Sequence, residues 1–277
     1  MSAEPVIKAI TRDAPTARSW SLPRNVRLSI ATLATLLFIW WAVTALKLIP
    51  PLFLPAPQQV LHQLITIASP QGFMDATLWQ HLEASLARIV VALLAAVIIG
   101  VPVGIAMGLN ETLRGILDPL IELYRPVPPL AYLPLMVIWF GIGETSKILL
   151  IYLAIFAPVA MSALAGVRSA SKVRVRAAQA LGASRWQVLW HVILPGALPE
   201  ILTGVRIGLG VGWSTLVAAE LIAATRGLGF MVQSAGEFLA TDVVIAGISV
   251  IALIACALEL GLRYLQRKLT PWHGEQQ

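Results

Sequence analysis

Three polar residues recur at intervals of seven within one apolar stretch of the sequence: Arg206, Trp213 and Glu220. Because seven residues complete about two helical turns, these side chains share one face of a helix. Charged groups inside a membrane segment usually face the protein interior or a water-filled path. One interpretation is that this face, together with Ser214, lines a route for a solute and that Arg206 offers its charge to an anion.

A second interpretation of the same residues needs no solute. Arg206 follows Pro195 by only 11 residues, so its long side chain can reach the headgroups on the near side of a membrane. Glu220 lies toward the other end of the segment and can reach the opposite interface in the same way. The sequence alone leaves both interpretations open.

The sequence contains no arrangement of residues suited to catalysis. Ser214 and Thr215 have no histidine partner in the apolar segments, and the phosphate-binding pattern Gly-x-x-x-x-Gly-Lys-Ser/Thr does not occur. The glycine pair in 227–229 is too short to replace that pattern. His62 and His81 lack cysteine or acidic partners at metal-binding spacing. We therefore expect no catalytic residue, no metal and no cofactor, with any ATP bound by a separate subunit.

The composition indicates a membrane protein. Of the 277 residues, 58% are apolar and 12% are charged, whereas soluble domains have about 45–50% apolar and about 25% charged residues. The mean hydropathy is +0.81. The net charge of +6 is better explained by basic loops on one side of a membrane than by nucleic-acid binding.

The fold predicted from these patterns is an all-α bundle with six membrane spans. A span needs roughly 20 apolar residues, and five segments qualify: 28–49, 88–109, 146–167, 196–223 and 243–265. A sixth, 130–141, is short and follows the proline-rich run 125–129. Since proline interrupts helices, we expect residues 115–141 to form a broken element, namely a short helix 115–124, a turn and then the span.

Basic residues indicate the orientation of these spans. Six spans place both termini on one side, and 15 of the 20 lysines and arginines lie in the segments of that side or at the adjoining end of the last helix. The excess makes that side cytoplasmic. The predicted regions are tails 1–27 and 266–277, a first span 28–49, an outer segment 50–79 with a surface helix 58–68, and a transmembrane domain 80–265.

Two glycine tracts predict close helix packing. In lipid, small residues allow helix backbones to approach each other. One tract has glycines at intervals of four from Gly100, and the other repeats the pattern from Gly204. The six glycines that we expect at helix contacts are Gly100, Gly104, Gly108, Gly204, Gly208 and Gly212.

The cytoplasmic loop 168–195 contains no acidic residue and has the pattern of two short helices joined by a turn. Gly182 suits the left-handed residue that ends a helix, and Ser184 with Gln187 fits a capping box that begins the next one. Pro195 is expected to end this second helix before the fifth span. The predicted product is a rigid helix–turn–helix, against the alternative of a solvated basic loop.

The same loop resembles the importer permeases that are driven by ATP-binding-cassette (ABC) ATPases. Their cytoplasmic motif is Glu-Ala-Ala, three residues, Gly, nine residues and Ile-x-Leu-Pro. This sequence matches the spacing, with Arg176 in place of the glutamate and Val192 in place of the isoleucine. The resemblance implies that the following residues couple the chain to an ATPase: Arg176, Ala177, Ala178, Gly182, Ala183, Ser184, Leu194 and Pro195.

The resemblance extends over nearly the whole chain after residue 28, and among these permeases it is strongest to those that import taurine in bacteria. It implies a type I importer in the inner membrane, built from two copies of this chain, two ATPase subunits and a periplasmic binding protein, surrounded by lipid and without nucleic acid. The implied substrate is taurine or a related sulfonate. Alternatives are another alkanesulfonate, nitrate, bicarbonate or a pyrimidine precursor, or, in a different class, a secondary transporter.

Overall fold

A computed structural model describes residues 24–272 of the chain. The predicted tail 1–27 lies outside these residues except for its last four, as does 273–277 of the predicted C-terminal tail. Within residues 24–272 the chain is helical and contains no strand, apart from one isolated bridge between Phe73 and Ala76.

The structure contains eleven α-helices in residues 24–272. They are α1 (Arg24–Ala45), α2 (Pro57–Ala68), α3 (Leu78–Leu109), α4 (Glu111–Tyr124), α5 (Leu133–Phe140), α6 (Glu144–Arg168), α7 (Lys172–Ala180), α8 (Arg185–Val188), α9 (Leu194–Ala223), α10 (Leu228–Glu237) and α11 (Thr241–Leu269). A 3₁₀ turn, Pro129–Tyr132, precedes α5, and a π-helical turn, Leu189–Ile193, joins α8 to α9.

Five helices of the described chain are long and apolar enough to cross a membrane, namely α1, α3, α6, the continuous helix Arg185–Ala223, and α11. The predicted sixth span is represented by the shorter apolar helix Pro129–Phe140. The expected outer helix is α2, which begins one residue earlier than predicted because Pro57 occupies its first position.

Helix α6 is the centre of the bundle, with α3 on one side and α9 on the other. All six glycines of the two tracts lie at these contacts. The α3 tract faces α6 residues from Phe156 to Val167, and the α9 tract faces α6 residues from Ser162 back to Ile155. Thus α3 runs parallel to α6 and α9 runs antiparallel, and the missing side chains allow both close approaches.

The expected broken element is present, and it extends along the full length of α6. Ile121 of α4 clusters with Ala157 and Leu164, whereas Leu133 of α5 clusters with Leu150. The two short helices therefore pack against opposite halves of α6. Consequently Arg125, which follows α4 directly, lies level with the middle of the bundle.

The first two helices lie at the edge of the bundle. Most of α1 is exposed, and its Trp40 Nε1 donates a hydrogen bond of 3.0 Å to the Pro55 carbonyl oxygen. α2 buries Val60 and Ile67 against the core that includes the start of α11. Because α1 covers so little of the bundle, its apolar surface is available to lipid.

Pro195 does not end the second helix of the loop, contrary to the sequence prediction. α8, the π-helical turn and α9 form one continuous helix of 39 residues. Proline removes the hydrogen bond that its own N–H would donate. Here it stands in the first turn of α9, directly after the wider π-helical turn. The hairpin, residues 172–193, is therefore joined rigidly to α9.

The glycine contacts make a direct prediction about stability. Adding a Cβ at Gly104 would bring it within 2.7 Å of the Ala163 Cβ and closer still to the Ala160 carbonyl oxygen, whereas a Cβ at Gly261 would meet nothing within 4 Å. We expect Gly104→Ala to destabilise the purified protein by about 1–3 kcal/mol. Gly261→Ala in α11 is the matched control and should be neutral or slightly stabilising.

The measurement is thermal unfolding in detergent, with membrane abundance as a second readout. Equal unfolding temperatures for the two variants would contradict the close contact between α3 and α6.

Candidate functional site

The hairpin is a helix–turn–helix that protrudes from the bundle, as its sequence predicted. Gly182 has φ +85°, a backbone conformation that side chains with a Cβ rarely adopt. The Ser184 Oγ accepts from the Gln187 N–H at 3.3 Å, and the Gln187 Oε1 accepts from the Ser184 N–H at 2.8 Å. This reciprocal cap starts α8 abruptly after the turn.

The hairpin surface is mostly open to solvent. No residue of α7 is buried, Leu181 is 89% exposed, and a shallow groove runs between the turn and the following helix beside Gly182 and His191. Trp186 and Trp190 are also exposed and stack edge to face with ring centroids 5.5 Å apart. An exposed hairpin whose turn has a fixed backbone conformation is suited to fit a groove on a partner.

Most of the predicted coupling residues are grouped on the hairpin. Arg176, Ala177 and Ala178 lie on α7, while Ala183 and Ser184 belong to the turn with Gly182. Leu194 and Pro195 lie apart from them, at the beginning of α9. Whether these residues contact an ATPase stays a prediction.

The face that carries Arg206, Trp213 and Glu220 points into the bundle, which corrects both sequence interpretations for Glu220. Trp213 is 7% exposed and belongs to the main core, and Glu220 is fully buried. Neither side chain lies on the outer surface of the bundle. Ser214 is exposed instead, on the side of α9 that also carries Ile207 and Val211.

Arg206 is occupied by contacts to the last span. Its guanidinium donates to the Glu259 Oε1 at 2.6 Å and to the Gln266 Oε1 at 3.1 Å. Gln266 in turn donates to the Thr203 hydroxyl at 3.2 Å. These bonds fasten α11 to α9 along one polar seam. Arg206 therefore has carboxylate and amide partners within the chain, rather than snorkelling alone to headgroups.

An ion-pair network, buried except for Glu144, whose side chain is 58% exposed, holds three helices together at the end of the bundle opposite the hairpin. The Arg88 Nη1 donates to the Glu220 Oε1 at 2.6 Å, and the same guanidinium pairs with both oxygens of Glu144. Lys147 Nζ contacts the Glu144 Oε1 at 2.8 Å. Two cations and two carboxylates thus balance within one network that joins α3, α6 and α9.

The same network also anchors α10. The Glu220 Oε2 accepts from the Gly229 N–H at 2.9 Å, the Ser85 Oγ accepts from the Leu228 N–H at 2.9 Å, and the His81 Nδ1 faces the Gly227 N–H at 3.1 Å. Side chains of α3 and α9 therefore satisfy the free N–H groups at the start of α10. His81 serves here as a backbone partner.

Gly227 and Gly229 are required by this arrangement. A Cβ on either glycine would collide with Glu220, and Gly227 has φ +138°. Gly227 and Gly229, which are too few to form a nucleotide-binding loop, therefore pack against the Glu220 carboxylate of the same chain. Among the described residues no cluster of His, Cys, Asp and Glu could hold a metal ion.

Sequence reasoning missed Arg88, Glu144 and Lys147 as members of one site. Residue 88 is simply the first position of the predicted span 88–109, and the sequence patterns assign no role to Glu144. The available signal was weak: a single arginine inside an otherwise apolar segment requires a carboxylate partner. The partners are 56 and 132 positions away in the sequence, so no local spacing connects them.

The long apolar helices and the exposed hairpin define a polytopic helical membrane protein. Residues 96–271 match the family described as binding-protein-dependent transport system inner membrane component. The chain is 82% identical to TauC, the taurine transport system permease protein of Escherichia coli, over 93% of this chain and 94% of that protein. The chain belongs to this family of inner-membrane ABC importer permeases.

Two further comparisons agree with this assignment. The chain is 34% identical to SsuC of Escherichia coli, described as a putative aliphatic sulfonates transport permease protein, over 98% of this chain and 96% of that one. A chain from inward-facing conformations of the MetNI methionine ABC transporter superposes with a TM-score of 0.60 at 20% identity, covering 68% of this chain and 94% of that chain. The fold is that of a type I ABC importer permease.

The buried network predicts a strong dependence on Glu220. Arg88 is 4% exposed and Glu220 is 0% exposed. Glu220→Gln leaves Arg88 and Lys147 to share the carboxylate of Glu144, and it should cost about 1–3 kcal/mol of unfolding free energy. The matched control is Glu259→Gln, whose carboxylate is 38% exposed and should cost no more than about 1 kcal/mol.

A double-mutant cycle separates pairing from simple loss of packing. The double variant Arg88→Met/Glu220→Gln should cost clearly less than the sum of the two single changes, because neither ion remains buried without its partner. Thermal unfolding of the purified chains measures all four proteins. Strict additivity would show that the two side chains do not stabilise each other.

Proposed function

We propose that this chain is the membrane-spanning permease subunit of an ABC importer that carries taurine into the cell. The observation that carries the proposal is the 82% identity to the Escherichia coli taurine permease over 258 residues. Identity at this level over almost the full length of both chains leaves little room for a different architecture of the transport route.

The proposed assembly contains two copies of this chain, two ATPase subunits and one periplasmic binding protein. The hairpin, with Arg176 to Ser184 at its tip, is the surface that enters a groove on each ATPase. Its exposure and its capped, glycine-closed turn support this role. Leu194 and Pro195 continue the hairpin into α9, so a push on the hairpin moves a membrane span directly.

In the proposed orientation both termini and the hairpin are cytoplasmic, and residues 50–79 with α2 face the periplasm. The abundance of basic residues in 168–195 supports this orientation. The chain itself performs no catalysis: ATP is bound and hydrolysed on the ATPase subunits. Closure of the ATPase dimer draws the two hairpins together, the two bundles rock, and the route between them opens outward to the loaded binding protein.

The relatives of this chain indicate the chemistry of its substrate. One relative is described as a taurine permease and a more distant one as a sulfonate permease, so a small sulfonate is the shared chemistry. A different alkanesulfonate is the second candidate. Nitrate, bicarbonate and pyrimidine precursors remain alternatives from the sequence analysis, without a specific structural observation in their favour.

Reconstitution tests the function directly. Proteoliposomes are prepared with the chain and its ATPase in the membrane and with the binding protein and labelled taurine outside. They should accumulate taurine only when ATP is enclosed in the lumen, on the side of the hairpin. Unlabelled short alkanesulfonates should compete less well than taurine. In cells, uptake should survive an uncoupler while ATP is held constant. Collapse of uptake under the uncoupler would instead indicate a secondary transporter, and preference for another sulfonate would reassign the substrate.

The hairpin makes a separate prediction about coupling. Gly182→Asp places a Cβ and a charge at φ +85°, so the turn should distort and taurine uptake should fall at least tenfold while ATP hydrolysis by the assembled complex persists. Gly196→Asp adds the same charge on α9, where a Cβ meets nothing within 4 Å, and is the matched control.

Arg176 is expected to tolerate the acidic residue that related permeases carry at this position. The α7 helix has no buried residue, so Arg176→Glu exchanges one exposed charge for another and should leave uptake within about twofold of the original protein. A severe loss of uptake at normal membrane abundance would indicate that the hairpin contacts its ATPase through Arg176 itself.

A further inference from the structure

An arginine without an ionic partner lies at the break between α4 and α5. Arg125 is exposed, and within the described chain its side chain forms no salt bridge. This separates it from Arg88 and Arg206, which pair with carboxylates inside the bundle. A charged side chain at the centre of a bilayer costs about 2.5–3.5 kcal/mol or more unless it faces a partner or a water-filled cavity.

The position of Arg125 along the bundle is defined by its neighbours. Arg125 lines a cavity together with Ala154 and Ala157 of α6 and with Ile207 and Val211 of α9. All four of these residues lie near the midpoints of their helices. Arg125 is therefore at the middle depth of the spans, although α4, which precedes it, begins at the hairpin end of the bundle.

The cavity has the size and the polar groups of a small ligand site. Its volume is about 220 Å³, compared with about 30 Å³ for one water in the liquid, so it holds several waters or one small organic ion. Tyr124 and Tyr132 also line it. The Tyr124 hydroxyl is buried beside the backbone of Ala157 and forms no hydrogen bond of regular geometry among residues 24–272.

The backbone at this place is irregular, which is unusual at membrane depth. Residues 125–128 leave the helix between α4 and the 3₁₀ turn, and prolines at 126, 128 and 129 prevent regular helical bonding. Non-helical backbone in a membrane is tolerated where protein buries it or where it lines a wet cavity. In secondary transporters, interrupted helices of this kind form sites for substrates near the midplane.

We propose that this cavity is the transit site for the sulfonate substrate, with Arg125 binding the sulfonate and the rings of Tyr124 and Tyr132 facing the ammonium group. A guanidinium presents paired N–H donors to the oxygens of an oxyanion, and aromatic faces attract a cation. The site rests on the proposed function, because it requires that a zwitterionic sulfonate passes through this bundle.

The exposed side of the cavity is consistent with a route between two copies of the chain. Ile207 is 54% exposed and Val211 is 40% exposed in the single chain, and both flank the cavity. The proposal places this exposed side of α9 toward the second copy of the chain. The substrate therefore meets Arg125 from the central route, without crossing the contact between α6 and α9.

The first test compares transport with ATP hydrolysis in the reconstituted assembly. Arg125→Gln should lower taurine uptake by roughly 10- to 100-fold, the loss expected for one charge-assisted hydrogen bond, while hydrolysis stimulated by the loaded binding protein is retained. Arg125→Lys should recover part of the uptake. Arg114→Gln, which changes the other arginine of the α4 segment away from the cavity, is the control and should transport normally.

A purely structural role for Arg125 would lower uptake and stimulated hydrolysis together, and that outcome overturns the proposal. Unchanged uptake by Arg125→Gln overturns it as well and leaves the taurine function intact. If the unaltered assembly rejects taurine but carries another anion in an Arg125-dependent manner, the assigned substrate fails while the anion site stands.

The second test measures occupation of the cavity without transport. Val127 lines the cavity and is 37% exposed, and Cys256 is the single cysteine of the chain. In a Cys256→Ser background, Val127→Cys should react with a small methanethiosulfonate reagent, and excess taurine should slow the reaction severalfold. Adding Arg125→Gln should abolish this protection. Protection that persists without Arg125, or that never occurs, contradicts the assignment.

Discussion

Buried charge must be balanced locally, and this requirement organises the end of the bundle opposite the hairpin. Arg88 and Glu220 lie inside an apolar core, where an unpaired ion would be strongly unfavourable. Glu144 and Lys147 complete a neutral set that spans α3, α6 and α9. The same carboxylate accepts a backbone N–H at the start of α10, so one set of ions positions four helices.

The middle of the bundle depends on a different constraint, the close approach of backbones around α6. Glycines on α3 and α9 remove the side chains that would separate these helices. The rigid contact leaves the discontinuous pair α4 and α5 as the irregular element beside α6. The cavity with Arg125 lies at this irregularity. The side of α6 that packs against the glycines stabilises the bundle, whereas the side beside α4 and α5 lines the cavity. The hairpin continues into α9 as one helix. In the proposed assembly, α9 therefore connects the packed bundle and the cavity to the surface where an ATPase would act.

Local sequence patterns predicted local structure well. The glycine turn and the Ser184–Gln187 cap predicted the hairpin, and the prolines after Tyr124 predicted the interruption of the helix. Pro195 was misinterpreted, because a π-helical turn allows the chain to continue helically into the span. The seven-residue spacing of Arg206, Trp213 and Glu220 predicted a shared face correctly. Its direction could not be predicted, since periodicity defines a face without specifying what that face contacts.

By itself, the sequence determined the class of the protein, the position of most spans, the hairpin and the membership of its motif in a family. These properties depend on composition and on residues close in sequence. Tertiary structure alone decided which charges are paired, because Arg88 meets carboxylates 56 and 132 positions away. It also decided that Arg206 pairs with Glu259, whereas Arg125 is exposed at the middle depth of the bundle. The physical reason is that ion pairing and depth are set by how helices pack against one another, and side chains distant along the chain become neighbours only after that packing.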